Sequence, residues 1–168
     1  MNFLVQVLST VIGGLLFTYI FFLIRDNWFG FPRLCGKWEY IIKTTETAYR
    51  KYQGMELKYN VALFRDGNKL YGTAEKLEER VNNEFREFIA HERSRGEVTG
   101  VYQRNFFKKY DLMNIHIKEQ DSRESTYFCS LICSKKCWLL PIRKIEKLEG
   151  EFFSFVADQK GETIWKKL

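Results

Sequence analysis

Thiols are the side chains in this sequence best suited to nucleophilic or metal chemistry. Three of the four cysteines, Cys129, Cys133 and Cys137, follow a C-x3-C-x3-C spacing, and the fourth is Cys35. Zinc ribbons use C-x2-C pairs, and no histidine lies near these cysteines in the sequence to complete a ligand set. We therefore expect reduced thiols and no metal site.

Acid–base chemistry would depend on His116 and on a run of glutamates. His116 lies in the alternating stretch Met113–Ile117, which favours a satisfied structural histidine over a catalytic base. The sequence has no G-x-G-x-x-G after a strand, no P-loop and no nucleophile–base pair. We therefore expect a protein that is not an enzyme and has no cofactor. The glutamates favour a solvated face: Glu78, Glu79, Glu84 and Glu87.

A long uncharged segment, Phe3 to Ile24, precedes all of these residues. As a helix it would reach about 33 Å, and a bilayer core is about 30 Å thick. It lacks the basic n-region and the small-residue cleavage site of a signal peptide. The sequence therefore predicts a transmembrane anchor over residues 1–25, followed by an interfacial linker over residues 26–35.

The flanks of this segment predict its orientation. Only Met1 and Asn2 precede it, whereas Arg25, Arg33 and Lys37 follow soon after. The positive-inside rule then places the C-terminal domain in the cytoplasm, and reduced thiols agree with that compartment. Cys35 also occupies a juxtamembrane position at which S-palmitoylation occurs.

Small and hydroxyl residues repeat at i, i+4 along the predicted anchor. Such repeats let two helix backbones approach closely, so we expect one helix face to mediate self-association. Glycine and threonine are also common in membrane helices in general, which leaves a second explanation open. The residues of the predicted face are Ser9, Thr10, Gly13, Gly14 and Thr18.

Residues 36–168 read as one all-β domain. Aromatic residues make up 17% of the chain, prolines number 2, and apolar residues alternate with a period of two. Eight antiparallel strands predict a small up-and-down, lipocalin-like barrel. The strands lie near Lys37–Thr44, Glu56–Phe64, Lys69–Lys76, Glu97–Arg104, Asp111–Lys118, Ser125–Cys133, Leu148–Ala157 and Thr163–Lys167, with turns at Arg65–Asn68, Asp121–Arg123 and Asp158–Gly161.

Four positions in this domain allow more than one structure. Glu78–Arg95 either extends a strand or forms a short helix, and in Cys137–Glu146 a proline disfavours a central strand. Gly72 and Gly100 lie inside predicted strands, which indicates close backbone approach or bends at barrel corners.

Several short motifs resemble one family. The opening Gly36-x-Trp38-x-Tyr40 resembles the start of lipocalin-like barrels, and the last motif is Gly161-x-x-x-Trp165. Together the motifs resemble the cytoplasmic barrel of bacterial CBASS effectors, which join an N-terminal membrane anchor to a minimal β-barrel. The other matching segments are Leu70–Lys76 with Glu79, Ile115–Glu119, Arg123–Glu124 with Thr126-x-Phe128, Gly150–Ser154 and Ala157–Asp158.

This resemblance implies an antiphage-defence function. Such effectors bind a cyclic oligonucleotide made by a cGAS-like nucleotidyltransferase after phage infection, form homo-oligomers and disrupt the bacterial inner membrane. The expected partners are therefore the lipid bilayer, a cyclic di- or oligonucleotide and other copies of the chain, but no nucleic acid polymer. The family typically has two transmembrane segments and this sequence predicts one, which leaves open how one segment replaces two in the assembly. Whether ligand activates or inhibits is left open.

A cyclic oligonucleotide needs cations for its phosphates and flat side chains for its bases. The net charge of +6 suits an anionic ligand. Lys76, Arg104 and Tyr102 are the leading candidates. Alternatively, the two tryptophans plug the barrel where it closes, and Arg123 forms a turn ion pair with Glu124. The further candidates are Arg123, Trp38, Tyr59, Tyr71 and Trp165.

Two other functions fit the same sequence. A membrane-tethered, lipocalin-like carrier would hold an apolar ligand in a barrel cavity without phosphate-binding cations. A non-catalytic membrane scaffold would instead recruit a protein partner through the outer surface of its barrel.

Overall fold

The computed structural model describes residues 2–28, 32–82, 84–105, 108, 110–120, 125–134 and 145–168. These residues form one long helix and nine strands. The elements are α1 (Asn2–Trp28), β1 (Gly36–Glu46), β2 (Glu56–Asp66), β3 (Lys69–Val81), β4 (Glu84–Glu87), β5 (Arg95–Gln103), β6 (Tyr110–Gln120), β7 (Ser125–Ser134), β8 (Lys147–Ser154) and β9 (Gln159–Lys167).

The helix α1 has the length and composition of a membrane span. Its apolar stretch Val5–Ile24 contains 20 residues, which reach about 30 Å in a helix. The helix continues to Trp28, three residues beyond the predicted end of the anchor at residue 25. An apolar N-terminal helix is therefore confirmed.

The small residues of α1 do not share one narrow face. Successive helix residues turn by about 100°, so Ser9 and Gly13 point in a different direction from Thr10 and Gly14. Ser9 and Gly13 line a shallow groove with Val5, Leu8, Ile12 and Leu16. The hydroxyls of Thr10 and Thr18 are bonded within the helix, to the carbonyl oxygens of Gln6 (2.9 Å) and Gly14 (2.8 Å). Together the five residues span about half of the helix circumference, and self-association through this face stays a prediction.

Eight of the nine strands form a closed antiparallel barrel. Each barrel strand pairs with the next one in the chain, and β9 closes the sheet by pairing with β1. The short β4 pairs with β3 outside this closed ring. The predicted eight-stranded up-and-down barrel is confirmed, with one additional strand.

The strands differ from the prediction most after Lys76 and around Asp158. β3 runs to Val81 and β4 folds back on it, so the charged stretch after Lys76 extends a strand. The predicted turn at Asp158–Gly161 is wrong, because β9 already begins at Gln159. Chain reversal occurs just before, at Val156–Asp158, where Ala157 and Asp158 have φ values of 58° and 45°. Gln159 and Gly161 instead continue the inward alternation of β9.

Close backbone approach at two glycines is confirmed. A Cβ atom on Gly72 would lie 1.9 Å from the carbonyl oxygen of Ala62, and one on Gly100 would lie 2.6 Å from that of Asn114. Only glycine can occupy these positions without displacing the neighbouring strand.

Aromatic side chains fill the barrel interior. Trp38, Trp165, Tyr40 and Tyr59 are fully buried. The ring of Tyr40 lies 4.7 Å from that of Trp165 and 5.4 Å from that of Tyr59, between centroids. These contacts join β1 to its two neighbours, β9 and β2, and leave that part of the interior packed.

Candidate ligand site

The two ends of the barrel differ in chemistry. We name the end at which β6 finishes and β7 begins the open end, and the end at which β5 finishes and β6 begins the closed end. The backbone N–H of Lys76 bonds to the carbonyl of Ser94, just before β5 starts, so Lys76 lies at the open end. Tyr102 and Arg104 lie where β5 finishes. Since nine strand residues span about 30 Å, one nucleotide-sized ligand cannot contact both groups.

A polar pocket of about 150 Å³ lies at the open end. Liquid water occupies about 30 Å³ per molecule, so the pocket has room for one small planar group or a few waters. Its walls come from the ends of strands that are distant in sequence. The lining residues are Tyr52, Met55, Leu57, Lys76, Glu79, Glu119, Ser125, Tyr127, Val156 and Gln159.

Glu119 places a carboxylate in this pocket. The residue is 5% exposed, and it continues the inward alternation of β6 from Ile117. Tyr59 Oη donates a hydrogen bond to one carboxylate oxygen (3.3 Å), and Ser94 Oγ donates to the other. A carboxylate oxygen can accept two hydrogen bonds, so each oxygen can accept one more beyond those from the described residues.

The tyrosines around Glu119 remain protonated donors. Burial raises the pKa of Tyr59 well above its usual value, with smaller contributions from Tyr127 and Glu119. The pKa of Tyr127 is likewise raised, mainly by burial and to a smaller extent by the neighbouring Glu119. At neutral pH both tyrosines are therefore protonated and can donate hydrogen bonds.

Lys76 is the single cation among the described residues that line the pocket. Its ammonium lies 2.8 Å from a carboxylate oxygen of Glu79, and its side chain is 15% exposed. The ring of Phe88 lies 5.0 Å from the same ammonium and covers it. With Glu79 and Glu119 both present, the pocket as a whole is acidic.

Gln159 contributes an acceptor without a partner. The residue is 3% exposed, and its Oε1 receives no hydrogen bond from the part of the chain that the structure describes. Buried polar atoms are nearly always paired in folded proteins, so an orphan acceptor in a pocket wall indicates a position for a ligand donor or a water. The pocket wall thus contains one acceptor that the described residues leave unsatisfied.

The closed end holds most of the other predicted site residues in internal contacts. Tyr102 Oη donates to Asp111 (2.5 Å), and Trp38 Nε1 donates to the carbonyl of Leu34 (2.8 Å). Trp165 packs against Trp38, with ring centroids 6.4 Å apart. Because both tryptophans are buried, the structure favours the alternative that they plug the barrel where it closes over the prediction that they stack on a base. Arg104 is half-buried just after β5.

The remaining predicted residues lie elsewhere. Tyr59 is buried beneath the open-end pocket, whereas Tyr71 is 47% exposed on the outer surface and stacks on Phe64. Arg123 lies outside the described residues, together with its predicted partner Glu124 and the turn at Asp121–Arg123. Of all predicted ligand-binding residues, Lys76 and Tyr59 alone are at the open end among those described.

The sequence reasoning missed a wide groove on the outer surface of the barrel. Its volume is about 1190 Å³, and the imidazole of His116 stacks on Phe128 in its wall (4.6 Å between centroids). Nε2 of His116 is buried with no hydrogen bond from the described residues, and the expectation of a structural histidine stays a prediction. Aromatic side chains at outward positions, Phe128 in β7 and Phe153 in β8, are the sequence signal that could have indicated this groove.

The cysteines of the barrel are buried thiols. Burial raises the pKa of Cys129 and of Cys133 to about 12, so both remain protonated at neutral pH. The Sγ atom of Cys129 lies 3.2 Å from Tyr40 Oη. Cys35 is an exposed free thiol, and Cys137 lies outside the described residues.

Comparison with known proteins adds no relative. No protein family matches the chain, and neither a curated protein nor a solved structure is significantly similar to it. The class of the protein therefore rests on its own architecture, an apolar N-terminal helix followed by a closed eight-stranded barrel with a polar pocket at one end.

Proposed function

We propose that this protein is a membrane-anchored, non-enzymatic effector whose barrel senses a cyclic di- or oligonucleotide. In this proposal α1 is a single pass through the bacterial inner membrane and the barrel lies in the cytoplasm. Ligand at the open end changes the balance between dispersed and clustered chains, and clustered α1 helices disrupt the bilayer in antiphage defence. Such coupling requires that ligand bind the two states with different affinity.

The open-end pocket is the observation that carries this proposal. It is concave, it is lined by charged and hydroxyl side chains, and its wall contains a buried acceptor that no described residue satisfies. Sites for small polar ligands combine these features, and the mouths of barrels are common places for them. The pocket accommodates one base, and the rest of a cyclic ligand would extend beyond it.

The packed interior argues against the apolar carrier. Trp38, Trp165 and Tyr40 fill the closed half of the barrel and contact one another. A fatty-acid carrier needs an apolar cavity inside the barrel, whereas the open-end pocket is lined largely by polar groups.

The outer groove favours the scaffold as a second candidate. Phe128 and Tyr71 in its wall are 40% and 47% exposed, and exposed aromatic clusters of this kind often mark protein-binding surfaces. If the scaffold is correct, Phe128→Ser abolishes function while Lys76→Met does not.

Thermal unfolding of the full chain in detergent, followed by tryptophan fluorescence, tests the sensor. A ligand at about 100 times its Kd stabilises the folded state by about 2.7 kcal/mol, which raises Tm by several degrees. We expect this rise with some cyclic di- or trinucleotides, and we expect Lys76→Met to reduce it. Lys147→Met is the matched control, because Lys147 is an exposed lysine at the start of β8, at the closed end. Absence of a shift with every nucleotide would contradict the sensor.

The membrane part of the proposal is tested on α1. Gly13→Leu fills the groove beside Ser9, so it should reduce oligomer size in detergent and toxicity in cells. Gly14→Leu makes the same change in the neighbouring row of small residues, which contains Thr10 and Thr18. Comparison of the two variants shows which row forms the helix contact. If neither variant alters the oligomer, α1 does not associate through its small residues.

A further inference from the structure

The hydrogen-bonding groups of the open-end pocket restrict the base that it can hold. We propose that this pocket selects guanine, with Glu119 accepting from the ring N–H and the exocyclic amino group. Lys76 faces the carbonyl oxygen of the base. The inference rests on the proposed function, and it names the chemical class of the ligand at that site.

The volume of the open-end pocket limits which part of a ligand it can hold. The pocket volume of about 150 Å³ suits one planar base, whereas a whole cyclic dinucleotide needs a site of several hundred Å³. The buried part of the ligand is therefore a base, and the phosphates remain outside. An acidic pocket agrees with this arrangement, because Glu79 and Glu119 would repel a phosphate.

The hydrogen-bonding groups of the pocket wall limit which base can bind. Beyond the hydrogen bonds from Tyr59 and Ser94, each carboxylate oxygen of Glu119 can accept one more. Gln159 adds a buried Oε1 that no described residue satisfies. Among the described lining residues, Lys76 supplies an ammonium, and the hydroxyls of Tyr52, Ser125 and Tyr127 can either donate or accept. The two groups with fixed roles are therefore Glu119, which accepts, and Lys76, which donates. A base that complements both presents adjacent donors on one edge and an acceptor beside them.

Guanine alone among the common bases has that edge. Its ring N–H and amino group are neighbouring donors, and its O6 is an acceptor. Adenine presents one amino group beside a ring nitrogen that accepts, so it would place an acceptor against the carboxylate of Glu119. A buried site that hydrogen-bonds one ligand rejects an analogue that leaves its polar groups unpaired.

The experiment compares nucleotides on the full chain in detergent, by calorimetry. GMP, AMP and inosine monophosphate probe the pocket directly, and cyclic di-GMP and cyclic di-AMP probe the complete ligand. We expect guanine-containing ligands to bind about 10- to 100-fold more tightly than adenine-only ligands. Inosine lacks the amino group and should lose about tenfold relative to guanine.

Glu119→Gln keeps the size of the side chain but replaces one acceptor by a donor. It should remove most of the preference for guanine, while Glu151→Gln in the outer groove, a matched control, should leave it intact. Tryptophan fluorescence confirms that each variant is folded.

The possible results separate the two proposals. Equal or tighter binding of adenine ligands, or a preference that survives in Glu119→Gln, overturns the guanine assignment. Selective binding of GMP without binding of any cyclic nucleotide supports the guanine assignment and overturns the proposed function. If neither GMP nor a cyclic nucleotide binds, both are wrong.

Discussion

Each end of the barrel pairs a buried carboxylate with a tyrosine, yet the two pairs differ in what surrounds them. At the closed end Tyr102 donates to Asp111, which also accepts from the backbone N–H of Asn105 (2.8 Å). At the open end Tyr59 donates to Glu119, which faces a pocket. A carboxylate enclosed by donors stabilises the fold, whereas one beside open space keeps acceptors for a ligand.

The largest expected effect tests the packing of the closed end. Trp165→Ala removes a fully buried ring that contacts Trp38 and Tyr40, so the free energy of unfolding should fall by about 3–5 kcal/mol. Urea unfolding of the full chain in detergent measures it. Tyr71→Ala, at an exposed ring, should cost less than about 1 kcal/mol. Equal losses in the two variants would show that the closed end is not specially packed.

The two carboxylates provide the next comparison. Asp111→Asn introduces an amide into a fully enclosed site and should cost about 1–3 kcal/mol of unfolding free energy. Glu119→Gln should cost less, because water in the pocket can replace lost partners. The same urea titration compares them. A larger loss at Glu119 would mean that the open end, too, is structural.

High pH should weaken the barrel through its buried thiols. The pKa of Cys129 and of Cys133 is about 12 in the folded barrel, against 9.0 in an exposed thiol. Between pH 9 and 12 the folded state therefore binds more protons than the unfolded state. Stability is fully present below pH 9 and falls above it, by about 1.4 kcal/mol per pH unit for each thiol.

Substitution of single cysteines checks this pH dependence. Cys129→Ala should reduce the slope of unfolding free energy against pH by one thiol, whereas Cys35→Ala, at an exposed thiol, should leave the slope unchanged. A slope that is the same in both variants would contradict the assignment to Cys129.

The smallest expected effect on stability is at the orphan acceptor. Gln159→Leu removes a buried Oε1 that has no partner among the described residues, so unfolding free energy should change by less than about 1 kcal/mol. Guanine binding should nevertheless weaken. Thr163→Val, the control, removes a hydroxyl that donates to the carbonyl of Ile41 (3.1 Å) and should cost about 1 kcal/mol. A large loss in Gln159→Leu would assign Gln159 to the fold.

The alternation of side chains was readable from the sequence because it is a local property of extended backbone. A period of two assigns Glu119 to the same face as Ile115 and Ile117, and it predicts eight strands and a barrel. The uncharged length of Phe3 to Ile24 likewise predicts an apolar helix, since helix rise per residue is constant.

Which residues share one end of the barrel was decided only by the tertiary structure. The sequence predicts one ligand site with both Lys76 and Arg104, but pairing across β3 and β5 places them at opposite ends. Trp38 and Trp165, far apart in the chain, meet because β9 closes on β1. Local periodicity sets the face of each side chain, whereas register and ring closure depend on contacts between distant strands, and those contacts determine which acceptors at the open end remain free for a ligand.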